Sequence, residues 1–261
     1  MEALVVCASA LVASLLTLFS GFGLGTILTP VFALFFPVAT AVAMTASVHL
    51  ASNLFKIGLL RRDADWRVAR RFGLPAALAA VVGAALLARL TTLAPWMAYD
   101  VFGAQHLVTP IKAVVGLLIV TFALLELSPA FARLALPSKW LPWGGLLSGF
   151  FGGLSGNQGA LRSAFLVKAG LSKESYVGTS AACAVMVDAV RLVVYGAALH
   201  TTWLMAMDGG TATLVVAASV SAFLGAWLGK RLLKKVTLRS VERLVAAAMV
   251  VMGGALAAGL V

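Results

Sequence analysis

Charge is scarce in this sequence. Only 11% of its 261 residues are Asp, Glu, Lys or Arg, while 62% are hydrophobic. A soluble domain carries about 25% charged residues. So few polar groups cannot build a water-facing surface, which excludes a soluble globular protein and makes the bilayer the solvent for much of the chain. Cysteine is almost absent too. Cys7 and Cys183 are the only two and both lie in apolar surroundings, so neither a disulfide framework nor a cysteine metal cluster can be argued. The sequence has no GxxxxGK[ST] loop, metal motif, nucleophile elbow or carboxylate pair. That gives no support to ATP-driven work or an enzyme, and it implies no cofactor. The start, Met1-Glu2-Ala3, lacks the basic n-region of a signal peptide, so Ala3 onward reads as mature transmembrane structure.

Long apolar runs fill the sequence instead. Ala3 to Phe19, Phe72 to Ala88, Val108 to Leu125, Leu214 to Leu228 and Leu244 to Val261 are nearly free of charge. Each approaches the ~20 residues that cross a hydrocarbon core as a helix. They are not the ~10-residue alternating segments of an outer-membrane barrel, so the spanning elements are helices. The net charge of +11 does not point to nucleic acid, because the basic residues sit in short loops between apolar spans, as the positive-inside bias requires.

The chain also resembles itself. Ser20 to Gly25, Ala43 to Ser47 and Asn53 to Lys56 recur in order as Gly152 to Gly159, Val177 to Ala181 and Asp188 to Arg191. Gly25 to Thr45 and Gly159 to Thr179 have the same spacing. Each half reads as a broken apolar segment followed by three ordinary spans. The first half, 1–127, has its break in Ala3 to Phe36 and spans at roughly 39–60, 72–90 and 106–127. The second, 141–261, has its break in Leu141 to Ala169 and spans at roughly 175–199, 210–229 and 241–261. A linker at 128–140 joins them.

Fifteen of the twenty basic residues fall in four clusters: Arg61 to Arg71, Arg133 with Lys139, Lys168 with Lys173, and Lys230 to Arg243. The loops at 36–38, 91–105 and 200–209 have no Lys or Arg. All four clusters are therefore expected in the cytoplasm. The segment between Lys139 and Lys168 must then leave and re-enter on one side. At about 30 residues, roughly 45 Å of helix, it is too short for two full crossings. A re-entrant hairpin turning at Ser155-Gly156-Asn157-Gln158-Gly159 fits, and the repeat predicts another near Gly21 to Gly25. An odd number of crossings per half makes the repeats inverted, a plan of secondary transporters. Eight full spans with unwound first and fifth helices would make them parallel. The expected fold class is an all-α polytopic membrane protein of two inverted repeats, each a broken helical hairpin plus three transmembrane helices.

The order Gly21-Phe22-Gly23-Leu24-Gly25, Pro30 and Met44-Thr45-Ala46-Ser47, with the second copy at Gly149 to Gly159 and Gly178-Thr179-Ser180, resembles the TauE/SafE family of sulfite exporter and organosulfonate permease-like proteins across nearly the whole chain. The resemblance implies transport of sulfite, sulfoacetate, taurine-related or aromatic sulfonates. The sequence departs from the family's second glycine–proline run at Gly156-Asn157-Gln158-Gly159 and Ala164.

At the breaks, glycine lets a ligand approach the backbone. Half-helices starting near Thr26 and Ala160 would present unpaired N–H groups and the positive dipole end. Two such ends meeting at mid-membrane form an anion site; the competing reading is close helix packing. The candidate substrate-binding residues are Gly23, Gly25, Thr26, His49, Asn53, Gly156, Asn157, Gln158, Gly159, Arg162, Asp188 and Arg191. Arg162 offers a planar fork suited to an oxyanion, or pairs with Asp188. Thr45, His49, Ser52, Asn53 and Lys56 share one helical face, as do Asp188, Arg191 and Tyr195. Lys56 touches the pathway or snorkels to the interface. Lys112 faces the same cavity or an outer vestibule. His49 and Asp188 are either proton carriers or structural partners.

The expected protein is a multi-pass secondary transporter of the bacterial inner (plasma) membrane. Its partners are the lipid bilayer and a small anionic substrate, with a coupled proton and a homo-oligomer left open and no nucleic acid. The alternatives are an anion channel, a carrier for a non-sulfur organic anion, or a non-transporting membrane assembly subunit.

Overall fold

The computed structural model describes residues 1–17, 24–101, 103–134, 136–198, 209–232 and 239–261. The chain is nearly all helix. In order run α1 (Glu2–Thr17), α2 (Leu24–Ala33), α3 (Val38–Leu60), α4 (Trp66–Thr91), α5 (Pro110–Leu127), the short α6 (Pro129–Ala132), α7 (Leu141–Ser155), α8 (Gly159–Leu166), α9 (Lys173–Ala198), α10 (Gly209–Leu232) and α11 (Arg239–Ala257). Five of these are long and apolar enough to cross a membrane: α3, α4, α5, α9 and α10. The apolar part of α11, Arg243–Ala257, is shorter. The protein is a multi-pass membrane protein.

Helix boundaries follow local chemistry. Asp65 caps α4 by accepting from the N–H groups of Arg67 and Val68, and Thr109 caps α5 just before Pro110. The loop expected at 91–105 and the span expected to begin at 106 differ from this. Strands β1 (Met97–Val101) and β2 (Ala104–Val108) pair antiparallel, with Val101 opposite Ala104, and α5 begins only at Pro110. Gly103 at the turn has φ +79°, which a two-residue hairpin loop favours. The hairpin caps the end of α11: Tyr99 donates its hydroxyl proton to Ala258 O at 2.5 Å.

Close contact between helices comes from small residues. Along α7, Gly145, Gly149 and Gly153 lie against the carbonyls of Phe72, Ala76 and Ala80 on α4. A Cβ at Gly149 would sit 1.9 Å from Ala76 O. Gly225 of α10 meets Leu11 O of α1 in the same way, and Gly116 of α5 meets α11 at Gly253 and Ala257. Without a hydrophobic force between helices in lipid, such backbone approach is what holds them together. The packing pairs come in matched sets. α4 on α7 answers α10 on α1, α4 on α9 answers α10 on α3, and α2 on α3 answers α8 on α9, while α3 packs on α9 and α5 on α11.

These contacts gather the first three basic clusters at one end of the bundle. α8 folds back along α7: Phe165 packs on Gly144, and Ser138 donates to Lys168 O at 3.3 Å. The hairpin expected between Lys139 and Lys168 is thus present, with its turn at 156–158. Asp65 N–H donates to Thr179 Oγ1 at 2.9 Å, which brings the Arg61 to Arg71 cluster beside the start of α9. The β-hairpin lies at the opposite end.

Gly149→Val forces α7 off α4 and is expected to destabilise the protein by about 3 kcal/mol or more. Gly196→Ala, where nothing lies within 4 Å, is expected to be neutral or mildly stabilising. Thermal unfolding in detergent compares the two; equal melting temperatures for Gly149→Val and wild type would contradict the packing.

Candidate functional site

The site starts where the first turn of α2 touches the α7–α8 turn. The α7–α8 turn is made by Gly156, whose φ of +84° ends α7 in a left-handed cap, with its N–H donating to Gly152 O at 3.0 Å. Its carbonyl points at α2: a Cβ placed on Gly25 would lie 2.8 Å from Gly156 O and 3.7 Å from Thr45 Cγ2. Thr29 Oγ1 lies 3.3 Å from where a Cβ of Gly156 would be. Gly25 has no room for a side chain, and at Gly156 the left-handed backbone disfavours one. From this meeting point α8 runs toward the basic end, and α2 runs the other way toward the start of α3. The two half-helices therefore face each other with their N-terminal ends, whose first N–H groups have no intrahelical acceptor.

Behind the crossing lies a buried polar network centred on Asp188 of α9. His49 Nδ1 of α3 is 2.6 Å from Asp188 Oδ2. Gln158 Nε2 donates to Oδ1 at 3.0 Å, and Arg191 Nε donates to the same oxygen at 3.0 Å. Arg191 Nη2 makes a 2.8 Å ion-pair contact with Oδ1 that is not aligned as a hydrogen bond. Asp188 and Arg191 are wholly buried. Arg191 also donates to Gly152 O at 3.0 Å, and the Tyr195 hydroxyl donates to Gly153 O. A cation thus reinforces the capped carbonyl of Gly152 and a hydroxyl serves that of Gly153 at the negative end of α7, where the dipole favours a cation.

Gln158 links this network to Arg162. Its Oε1 accepts from Arg162 Nη1 at 3.0 Å, while Arg162 Nε donates to Ser180 Oγ at 2.8 Å. Arg162 is buried on the first turns of α8 and has no carboxylate partner among the described residues. The alternative that it pairs directly with Asp188 is not what the structure holds; Arg191 takes that place. A fork held by one amide and one hydroxyl still has donor capacity, because guanidinium carries five N–H groups.

The remaining candidates divide clearly. Thr26 and Gly159 are buried in the first turns of α2 and α8. Asn157 donates to Ser155 Oγ at 3.1 Å, leaving its Oδ1 buried without a partner among the described residues. Asn53 turns back on its own helix and donates to His49 O at 2.8 Å. Gly23 lies outside the described residues, as does most of the turn expected at Gly21 to Gly25. Lys112 sits half-buried in the first turn of α5, beside the β-hairpin and away from this network. Sequence reasoning missed Ser180, although its place in the repeated Gly178-Thr179-Ser180 element marked it. It also missed Thr29, whose buried Oγ1, like those of Thr45 and Ser52, has no hydrogen-bond partner among the described residues.

The family model for the sulfite exporter TauE/SafE matches residues 6–256. The chain belongs to the TauE/SafE family. No curated protein matches it. TauE/SafE is a transporter family, and in this member the start of α2 meets the α7–α8 turn close to the buried Arg162.

The network makes a stability prediction for this TauE/SafE protein. Asp188→Ala strands the Arg191 cation and is expected to cost about 3–5 kcal/mol. Adding Arg191→Met removes the stranded charge and is expected to recover part of the loss. Thermal unfolding of the single and double variants measures the coupling, and losses that simply add would contradict it.

Proposed function

We propose that this protein is a secondary transporter of a small anion, sulfite or an organosulfonate, bound near the membrane midplane where α2 and α8 begin. The observation that carries the reading is the buried Arg162 fork, without a carboxylate partner among the described residues, on a half-helix whose N-terminal end meets that of α2. Helix N-termini polarise that point positively, and a bidentate guanidinium matches an oxyanion with several oxygens. The TauE/SafE match supports a sulfur anion as the cargo.

In this reading Arg162 and the first turns around Gly25, Thr26 and Gly159 contact the anion. Gly156, Asn157 and Gln158 shape the second turn. His49, Asp188 and Arg191 hold that turn in place, and Asn53 braces α3 behind His49. Asp188 accepts from three side chains, which favours a fixed structural role over carriage of a coupled proton. The matched helix contacts support two inverted repeats, 1–127 and 141–261, joined by a cytoplasmic linker at 128–140. Opposed half-helices then allow alternating access by movement of one repeat against the other. The gathered basic clusters support a cytoplasmic basic end in a bacterial inner membrane.

Purified protein is expected to gain thermal stability with sulfite, by about 2.7 kcal/mol at a concentration 100-fold above Kd. Arg162→Gln is expected to remove most of that gain while leaving the unliganded melting temperature within a few degrees. In vesicles, saturable uptake with counter-flow marks a carrier. Stabilisation that persists in Arg162→Gln would overturn the assignment.

A further inference from the structure

The charges around the proposed site do not balance, and the imbalance has a size. Among the described residues the buried basic side chains and carboxylates are His49, Lys56, Arg162, Asp188 and Arg191; the carboxylate oxygens of Glu126 on α5 are also out of solvent, but they form no ion pair with Lys56 or Arg162. Asp188 supplies a single negative charge, and Arg191 and His49 are already held against it. Lys56 and Arg162 remain, at 8% and 7% exposure, with no acid of their own. The stretch 18–23, which completes the α1–α2 break, is Leu-Phe-Ser-Gly-Phe-Gly and carries no ionisable group.

Helix register brings these two cations together. α3 and α9 run antiparallel, with His49 opposite Asp188 and Leu60 O against Gly178. Lys56 falls between these contacts, about level with Ala181 at one residue of α9 per residue of α3. That is the level at which Ser180 holds Arg162 Nε at 2.8 Å. On α3, Lys56 lies on the same face as His49 and Ser52, the face turned to α9. Burying unpaired charge is costly unless a counter-charge accompanies it. Two adjacent buried cations without acids therefore call for two negative charges on the occupant.

We infer that the site selects doubly charged oxyanions over singly charged ones, and that Lys56 determines this selectivity. The inference rests on the anion-transport reading above. A dianion such as sulfite or sulfate neutralises both cations, with Arg162 taking two oxygens through its fork and Lys56 placing a point charge on a third. A monoanionic sulfonate or carboxylate leaves one cation uncompensated.

The probes are sulfate and methanesulfonate, which present the same sulfur-bound oxygens and differ by one charge, titrated by calorimetry into the full-length protein in detergent at fixed ionic strength. Sulfate is expected to bind about tenfold or more tightly than methanesulfonate. Lys56→Met is expected to bring the ratio close to one, and Lys56→Arg to restore it. Equal affinities in the wild type overturn the inference, whether or not the Lys56→Met variant folds. An unchanged ratio in folded Lys56→Met also overturns it. Both of these results leave the anion site standing. Binding of neither probe, nor of sulfite, sinks the anion-transport reading and the inference with it.

Discussion

The carboxylate of Asp188 is the group on which the rest of this architecture depends. It is wholly buried, and it receives His49 from α3, Gln158 from the α7–α8 turn and Arg191 from its own helix. A lone carboxylate in this interior would be prohibitively desolvated. Together these partners make the buried charge tolerable, and in doing so they tie the first half of the chain to the second. Arg191 and Tyr195 extend the tie to the last carbonyls of α7, so the end of one half-helix and the start of the next are fixed by side chains of a single neighbouring helix. Gln158 passes the constraint on, holding Asp188 with its amide nitrogen and Arg162 with its oxygen.

This arrangement separates two kinds of buried cation. Arg191 is consumed by structure: its donors go to Asp188 and to Gly152 O. Arg162 and Lys56 have no carboxylate partner among the described residues, and in the proposed reading they are left for the anion. In that reading positioning and binding are divided between side chains of the same chemical type. The glycine stripes have a matching role. Gly145, Gly149 and Gly153 let α7 lie directly on α4, while Gly25 and Gly156 let the two breaks approach until one carbonyl touches the other turn. Both are uses of missing side chains, one along a helix seam and the other where α2 meets the α7–α8 turn.

Much of the fold was legible because bilayers impose strong rules. Length, apolarity and the Lys/Arg bias located the spans, and the distance from Lys139 to Lys168 was too short for anything but a hairpin. The repeated Gly–Thr spacing pointed to the residues at the crossing. Other features were hidden for physical reasons. The β-hairpin at 97–108 has alternating residues around Gly103, but its strands are five residues each and adjoin an apolar run, so hydropathy merged β2 with α5. The partner of Arg162 could not be read because two arginines competed for one acid. Only the fold shows that Arg191, one turn away on the same helix, reaches Asp188, while Arg162 is drawn to Ser180. Unpaired hydroxyls such as those of Thr29 and Thr45 carry no sequence signature, since their lack of partners is a property of the packed structure.

The central claim is that an anion sits between the starts of α2 and α8 against Arg162. Selenite, the heavier congener of sulfite, tests it directly through anomalous diffraction from crystals grown with it. The account predicts one selenium peak within hydrogen-bonding reach of the Arg162 guanidinium and of the first turns of α2 and α8. A peak elsewhere in the protein, with this point vacant at saturating selenite, would contradict it.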